Sequence, residues 1–278
     1  MNKKAVAIHD ISCFGRCSLT VALPILSAAG VNCSVVPTAV LSTHTGGFDG
    51  FTYRDLTDDI LPIAKHWKQL WLEFDALYSG FLGSAAQVEI LMEFFKMFRR
   101  KETLILVDPV MGDNGKLYKT FSQDFPNEMS KLCRMADLIT PNMTEAALLT
   151  DEPYREGPYT REYIEGIIKK LASLSGNENG NKQIVLTGVY FSENELGAAA
   201  YDGNTISYAM AERVSQHYPG TGDVFASTLL AALLGGVGLA AGMEKAVEFV
   251  AGCIRRTYET GADTRFGVLF ETELKHRM

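Results

Sequence analysis

Pro219-Gly-Thr-Gly-Asp223 carries the most chemical information in this sequence. Gly220 and Gly222 lack Cβ atoms, so the backbone can turn tightly and aim successive N–H groups at an anion on the axis of a following helix. Asp223 falls at the start of that helix. Its carboxylate can take a proton from an alcohol while the amides of Gly220, Thr221 and Gly222 stabilise charge on a transferring phosphoryl group. The same residues also fit a plain glycine turn whose acid is favoured by the helix dipole. Other acids bear on the choice. Asp108 follows the apolar run 103–107, and Asp113 follows Gly112; both can reach a magnesium ion or its waters, since hard cations prefer oxygen ligands. Pro141 and Asn142 follow a second run at 138–140, and Glu145 lies in the first turn of the next helix. Each acid alone also reads as a strand-end or helix-start charge.

Several chemistries are missing. No GxxxxGK[ST] run is present, because Gly115-Lys116 is followed by Leu117, so a P-loop is excluded. Phe14-Gly15-Arg16 stands where a dinucleotide fold would place its GxGxxG. There is no HExxH, and the five cysteines form no CxxC pair. Neither zinc nor a disulfide framework is indicated, and a reducing cytoplasm fits.

The elements that must position these residues alternate between strand-length apolar runs and helical periods, the pattern of a mainly parallel sheet covered by helices. Strands are expected at 4–8, 33–37, 76–79, 103–107, 138–140 and 183–187, and an antiparallel hairpin at 197–201 and 205–208 around Asp202-Gly203-Asn204. Helices are expected at 16–29, 55–73, 85–100, 143–150, 161–173, 223–234 and 239–260. The polar stretch 175–182 reads as a surface loop. No repeat or linker divides the 278 residues, so one α/β domain spanning 1–278 is expected. Ligands of such sheets gather at the carboxyl ends of the strands, where all the residues above fall.

Composition bounds the partners. Apolar residues make up 47% and charged residues 21%, which excludes a disordered chain. The net charge is −7 and no Lys/Arg-rich run occurs, so nucleic acid is not an expected partner. The apolar stretch 5–8 is too short for a signal-peptide core. Residues 224–243 carry no charge over about the length a bilayer requires, but Gly235, Gly236 and Gly238 break them into soluble core helices, and no membrane span is expected.

In this order and on these elements, Asp108-Pro-Val-Met-Gly112, Thr140-Pro-Asn-Met-Thr-Glu145 and Gly220-Thr-Gly-Asp223 resemble the ribokinase-like superfamily of small-molecule kinases. The resemblance spans almost the whole chain and implies a three-layer α/β/α sandwich with a mainly parallel central sheet. Leu41-Ser-Thr-His-Thr-Gly46 and Ser79-Gly-Phe-Leu-Gly-Ser84 are most similar to pyridoxal kinases. That family transfers the γ-phosphate of ATP to the 5′-hydroxymethyl group of pyridoxal, pyridoxine or pyridoxamine, with magnesium and often a monovalent cation such as K+, usually as a homodimer.

Carried over, the resemblance implies that Asp223 is the general base and that the amides of Gly220, Thr221 and Gly222 form the anion hole. Asp108, Asp113 and Glu145 would manage the metal, and Asn142 and Thr187 would contact nucleotide phosphates. Thr45 and Phe81 would line the pyridine pocket, with Asp10 and Ser12 on the ring's polar edge. Phe81 also fits as a core aromatic and Thr45 as a turn residue. Loop 42–53, rich in glycine and aromatics, is a candidate flap. An anionic Asp10 predicts some preference for pyridoxamine.

The first loop departs from the pattern. Asp10-Ile11 replaces the Ser-His pair of pyridoxal kinases, and Asp10 with Ser12 resembles hydroxymethylpyrimidine kinases of thiamin synthesis. Those relatives usually carry Cys where this chain has Asp223, and Lys-Ser-Gly where it has Gly112-Asp113-Asn114. Three readings follow: a kinase of B6 vitamers, a hydroxymethylpyrimidine kinase, or a non-catalytic vitamin-binding paralogue.

Overall fold

A computed structural model describes residues 2–174 and 182–277. The chain begins with β1 (Lys4–Ser12), α1 (Leu19–Ala28), β2 (Asn32–Leu41), β3 (Tyr53–Asp55), α2 (Thr57–Gln69), β4 (Ala76–Ser79) and α3 (Ala85–Phe98). It continues through β5 (Leu104–Val107), the small hairpin β6 (Gly112–Asp113) and β7 (Lys116–Leu117), α4 (Phe125–Met135), β8 (Leu138–Ile139), α5 (Met143–Thr150) and α6 (Arg161–Ser173). The last part holds β9 (Gln183–Val189), β10 (Glu195–Tyr201), β11 (Ile206–Glu212), α7 (Thr221–Leu234), α8 (Leu239–Thr260), a 3-10 turn at Thr264–Phe266 and α9 (Phe270–Arg277).

Nine strands form one sheet in the order β11-β10-β9-β8-β5-β4-β1-β2-β3. The six middle strands from β9 to β2 are parallel, and β3, β10 and β11 pair antiparallel at the two edges. Alternation along β1 shows how the layers separate. Val6 and Ile8 face a cluster built with α2 to α6, including Ile60, Leu91, Phe94, Met129, Leu132 and Ile164. Ala5 and Ala7 face Leu19, Leu26, Phe225, Leu229 and Met243 on α1, α7 and α8. The second face is lined with alanine, including Ala76, Ala198, Ala200 and Ala209, so these helices can lie close against the strands. Each fully buried Leu or Phe contributes about 1.5–3 kcal/mol. The result is the expected three-layer α/β/α sandwich.

Several boundaries differ from the sequence expectation. The first helix starts at Leu19 instead of 16, because Cys13–Arg16 form a bend and Ser18 caps α1. β2 runs on through Pro37 to Leu41; β3 pairs only with residues 39–41, so the missing Pro37 N–H breaks no bond on that side. β3, the β6–β7 hairpin, α4 and α9 are additional elements. The uncharged window 224–243 is divided between α7 and α8, and no described helix is long and apolar enough to cross a membrane. The polar loop expected at 175–182 falls outside the described residues except for Lys182, which is buried and donates from Nζ to the Cys133 carbonyl.

Candidate active site

The site begins where four parallel strands end. Past β5, the Asp108 amide continues the ladder to Ser79 O at 2.9 Å, and its carboxylate accepts from Thr140 Oγ1 at 3.0 Å. Asp108 is 5% exposed. Burial pushes its pKa up to about 8, the charge of Asp223 adds to the rise, and the Thr140 bond opposes it.

Past β8, Asn142 and Glu145 form a capping box on α5: Asn142 Oδ1 accepts from Glu145 N at 2.9 Å and Glu145 Oε2 accepts from Asn142 N at 2.8 Å. The other Glu145 oxygen accepts from Met111 N at 3.2 Å, and Asn142 Nδ2 donates to Gly112 O at 2.9 Å. These bonds pin the segment after β5 to the start of α5. Burial and the nearby Asp108 raise the Glu145 pKa well above its usual range. Thr187 on β9 bridges to Asn142 and donates its amide to Pro141 O at 2.9 Å.

Asp113 lies on the β6–β7 hairpin, whose turn residues Asn114 and Gly115 have φ 51° and 73°, the left-handed pair that Asn-Gly supplies. Its carboxylate accepts from Asn114 N at 2.9 Å and lies 3.5 Å from His217 Nε2.

Facing these strand ends is the start of α7. Gly220 has φ 78°, and a Cβ there would lie 1.9 Å from the Arg16 carbonyl oxygen, so no other residue fits unchanged. Gly222 faces Asp108: a Cβ on it would be 4.0 Å from Asp108 Oδ2. Asp223, in the first turn, accepts from Ser18 N at 2.9 Å through Oδ2, while its Oδ1 is 3.7 Å from Nδ1 of His9. The His9 ring is fully buried, packs edge-on to Tyr78 at 4.3 Å, and has no hydrogen-bond partner among the described residues. One cavity of about 430 Å³ is lined by Asp108, Asp113, Asn142, Glu145, Thr187 and the whole run from Gly220 to Asp223. Acids from the middle of the chain thus share a cleft with the glycine turn near its end.

The remaining predicted residues lie elsewhere. Asp10, Ser12, Thr45 and Phe81 are not among the residues lining that cavity. Asp10 is buried, and its two carboxylate oxygens accept from Ser18 Oγ at 2.5 Å and Ser12 Oγ at 3.1 Å. Burial is the main cause of its raised pKa, which weakens the electrostatic ground for preferring a cationic vitamer. Phe81 is half-buried, with its ring 5.6 Å from Phe121 at the edge of the larger cluster. Thr45 is exposed.

Its neighbour His44 is the buried residue of that loop. Nδ1 accepts from Gly46 N at 3.1 Å and Nε2 lies 2.7 Å from Arg265 O, which puts the proton on Nε2. Sequence reasoning missed His9, Ser18, Thr140 and His44 as partners of the site. A serine just before an apolar helix signals an N-cap, but nothing in the sequence shows its amide turned onto Asp223.

The chain is 30% identical over 261 residues to the pyridoxine/pyridoxal/pyridoxamine kinase of Bordetella avium, covering 87% of this chain and 80% of that protein. Its fold superposes on the crystal structure of pyridoxal kinase from Lactobacillus plantarum with a TM-score of 0.88 at 33% identity, over 99% of this chain and 98% of that one. It also superposes on a Bacteroides thetaiotaomicron structure, described as a phosphomethylpyrimidine kinase and crystallised with pyridoxal, with a TM-score of 0.93 at 39% identity, over 99% and 96%. The fold is therefore the ribokinase-like one expected from the motifs. The family model for phosphomethylpyrimidine kinase matches residues 23–267, and the chain belongs to that family.

Proposed function

We propose that this chain is an ATP-dependent kinase of the 5′-hydroxymethyl group of pyridoxal, pyridoxine and pyridoxamine. One observation carries the reading: Asp223 and the amides of Gly220–Gly222 open into the same cavity as Asp108, Asn142 and Thr187. In this reading the 5′-hydroxyl lies against Asp223, which takes its proton as the oxygen attacks the γ-phosphorus, and the bond to the leaving ADP oxygen breaks. The α7 amides stabilise the charge on the transferred group. Asn142 and Thr187 border the nucleotide phosphates. Ser12, Thr45 and Phe81, outside the lining of that cavity, serve the vitamer side in this reading and loop 42–53 closes over it, while the Asp10 carboxylate is taken up by Ser12 and Ser18. The relatives named for pyridoxal kinase activity, and the neighbour crystallised with pyridoxal, support this substrate class.

A magnesium ion suits the donor set. Beyond burial, the charge of Asp223 raises the Asp108 pKa and that of Asp108 raises the Glu145 pKa, a crowding that a cation would relieve. No group of three or more His, Cys, Asp or Glu among the described residues could hold a metal, so Asp108, Asp113 and Glu145 would hold it with water and nucleotide phosphates. Bound there, the ion would supply charge neutralisation. The family resemblance extends to a K+ ion and a homodimer, the lack of a linker supports a single domain over 1–278, and the cysteine pattern fits a cytoplasmic setting.

The family description and a relative named for hydroxymethylpyrimidine and phosphomethylpyrimidine kinase activity support hydroxymethylpyrimidine as the second substrate reading. An ADP-release assay against the three B6 vitamers and hydroxymethylpyrimidine tests both. ATP consumption that depends on a B6 alcohol is expected; turnover with hydroxymethylpyrimidine alone would replace the first reading by the second, and no turnover with any alcohol would leave the non-catalytic paralogue.

A further inference from the structure

Serine at a helix N-cap ordinarily has an extended backbone and turns its hydroxyl onto the first-turn amides. Ser18 does neither. Its φ of 56° and ψ of −131° belong to glycine, and its side chain makes no cap bond. The hydroxyl donates instead to Asp10 Oδ1 at 2.5 Å, while the Ser18 amide donates to Asp223 Oδ2 at 2.9 Å. A strained residue therefore joins two acids through two different donors.

Asp10 is placed to hold that strain. The β1–β2 register shifts between His9 and Ile11, and such irregularities re-aim the residue they contain. Its other oxygen accepts from Ser12 Oγ at 3.1 Å, so the anchor is itself fixed. Asp223 Oδ1 accepts no hydrogen bond among the described residues and lies 3.7 Å from His9 Nδ1. Pinning Oδ2 thus leaves Oδ1 to receive a proton.

We propose that Asp10 and Ser18 are positioning residues for phosphoryl transfer: Asp10 anchors the Ser18 hydroxyl, which keeps the strained Ser18 amide on Asp223 and fixes the rotation of the base. The inference rests on the kinase reading above. It differs from a direct role of Asp10 on the vitamer, and the two part in their kinetics. Loss of positioning lowers kcat and spares KM, whereas loss of a substrate contact raises KM for the alcohol.

The test is steady-state kinetics of Ser18→Ala, Ser18→Gly, Asp10→Ala and Asp10→Ala/Ser18→Gly beside the wild type, with a B6 alcohol and ATP. Ser18→Ala and Asp10→Ala are expected to lower kcat about tenfold or more with both KM values within about twofold, because the untethered turn relaxes and releases Asp223. Ser18→Gly should lose only about threefold, since glycine takes this conformation without a tether. The double variant should return to the Ser18→Gly level, because the anchor no longer matters once the strain is gone.

A raised KM for the alcohol in Asp10→Ala that glycine at 18 does not relieve would overturn the proposal, as would equal kcat in Ser18→Ala and Ser18→Gly. Should Asp10→Ala not fold, the alanine–glycine contrast at 18 decides alone. A wild type without B6-dependent turnover would remove the kinase reading itself, whereas an active wild type with the wrong variant pattern would remove only this inference.

Discussion

The two ends of the cleft are held by different kinds of contact. At the phosphate end, strand ends and helix starts are joined by directional bonds that involve the backbone: Glu145 to Met111 and Asn142, Asn142 to Gly112, and Asp223 to Ser18. At the loop end, segments 13–17, 42–52 and 263–267 meet through rings and a few hydrogen bonds, among them Arg16 N to Phe266 O at 3.2 Å. Phe14 and Phe48 lie 5.1 and 6.3 Å from Phe266, His44 lies 5.0 Å from Phe48, and Arg265 covers Phe48 at 5.4 Å. Moving the first end breaks sheet and helix termini together. Lifting 42–52 at the second separates packed rings and the His44 Nε2 bond to Arg265 O, which local fluctuation can do at lower cost. The proposed chemistry falls on the rigid end, where preorganised dipoles act best. In the proposed reading, admission of substrate falls to the end that can open.

Variants at each end should therefore fail differently. Asp223→Asn keeps an acceptor for Ser18 and should retain ATP binding, measured calorimetrically, while kcat falls by about two orders of magnitude or more, the scale of a lost general base. Unchanged turnover would remove Asp223 from the chemistry. Gly220→Ala places a Cβ against the Arg16 carbonyl at positive φ. It should cost about 1–3 kcal/mol of stability in denaturant unfolding, with about a tenfold or greater loss of kcat.

At the loop end, Phe48→Ala should raise KM for the alcohol by about three- to tenfold and leave KM for ATP nearly unchanged, as expected when a lid contact is lost. A kcat defect without a KM change would mean that the two ends are not separable.

The smallest effect concerns pH. Burial holds the His44 pKa below the ordinary histidine value. As pH falls through about 6.5, the unfolded chain takes up a proton that the folded ring resists, so this contribution to stability is complete above that value and declines below it. Between about pH 8 and pH 5.5 the Tm should fall more in the wild type than in His44→Gln. Equal falls would detach His44 from the acid response.

The same division governs how much the sequence disclosed. Phosphate-end residues follow strands buried on both faces, which read as apolar runs, and β4 at Ala76–Ser79 matches its expected bounds. Asp108 and Asn142 could be placed because they fall just beyond such strands, and Glu145 and Asp223 because each lies in the first turn of a helix. Loop-end residues have no period to read. Which ring of Phe14, Phe48 and Phe266 meets which is decided by tertiary packing alone. β3 is three exposed residues with no apolar pattern.

Two omissions had a signal. Asn114-Gly115 marks the β6–β7 turn that carries Asp113. Phe125, Met129, Leu132 and Cys133, with Pro126 in the first turn, mark α4 by helical spacing. Asp10 shows the limit in the other direction. Its place near the end of β1 was legible, but nothing in the sequence shows that its carboxylate accepts from Ser12 and Ser18.

The most direct test of the central claim is a structure of the chain with ADP and pyridoxine. The 5′-oxygen should lie within about 3 Å of an Asp223 carboxylate oxygen, the reach of a general base, with the ADP phosphates between the α7 amides and Asp108. A pyridine ring bound with its hydroxymethyl group away from Asp223, or a nucleotide outside this cavity, would contradict it.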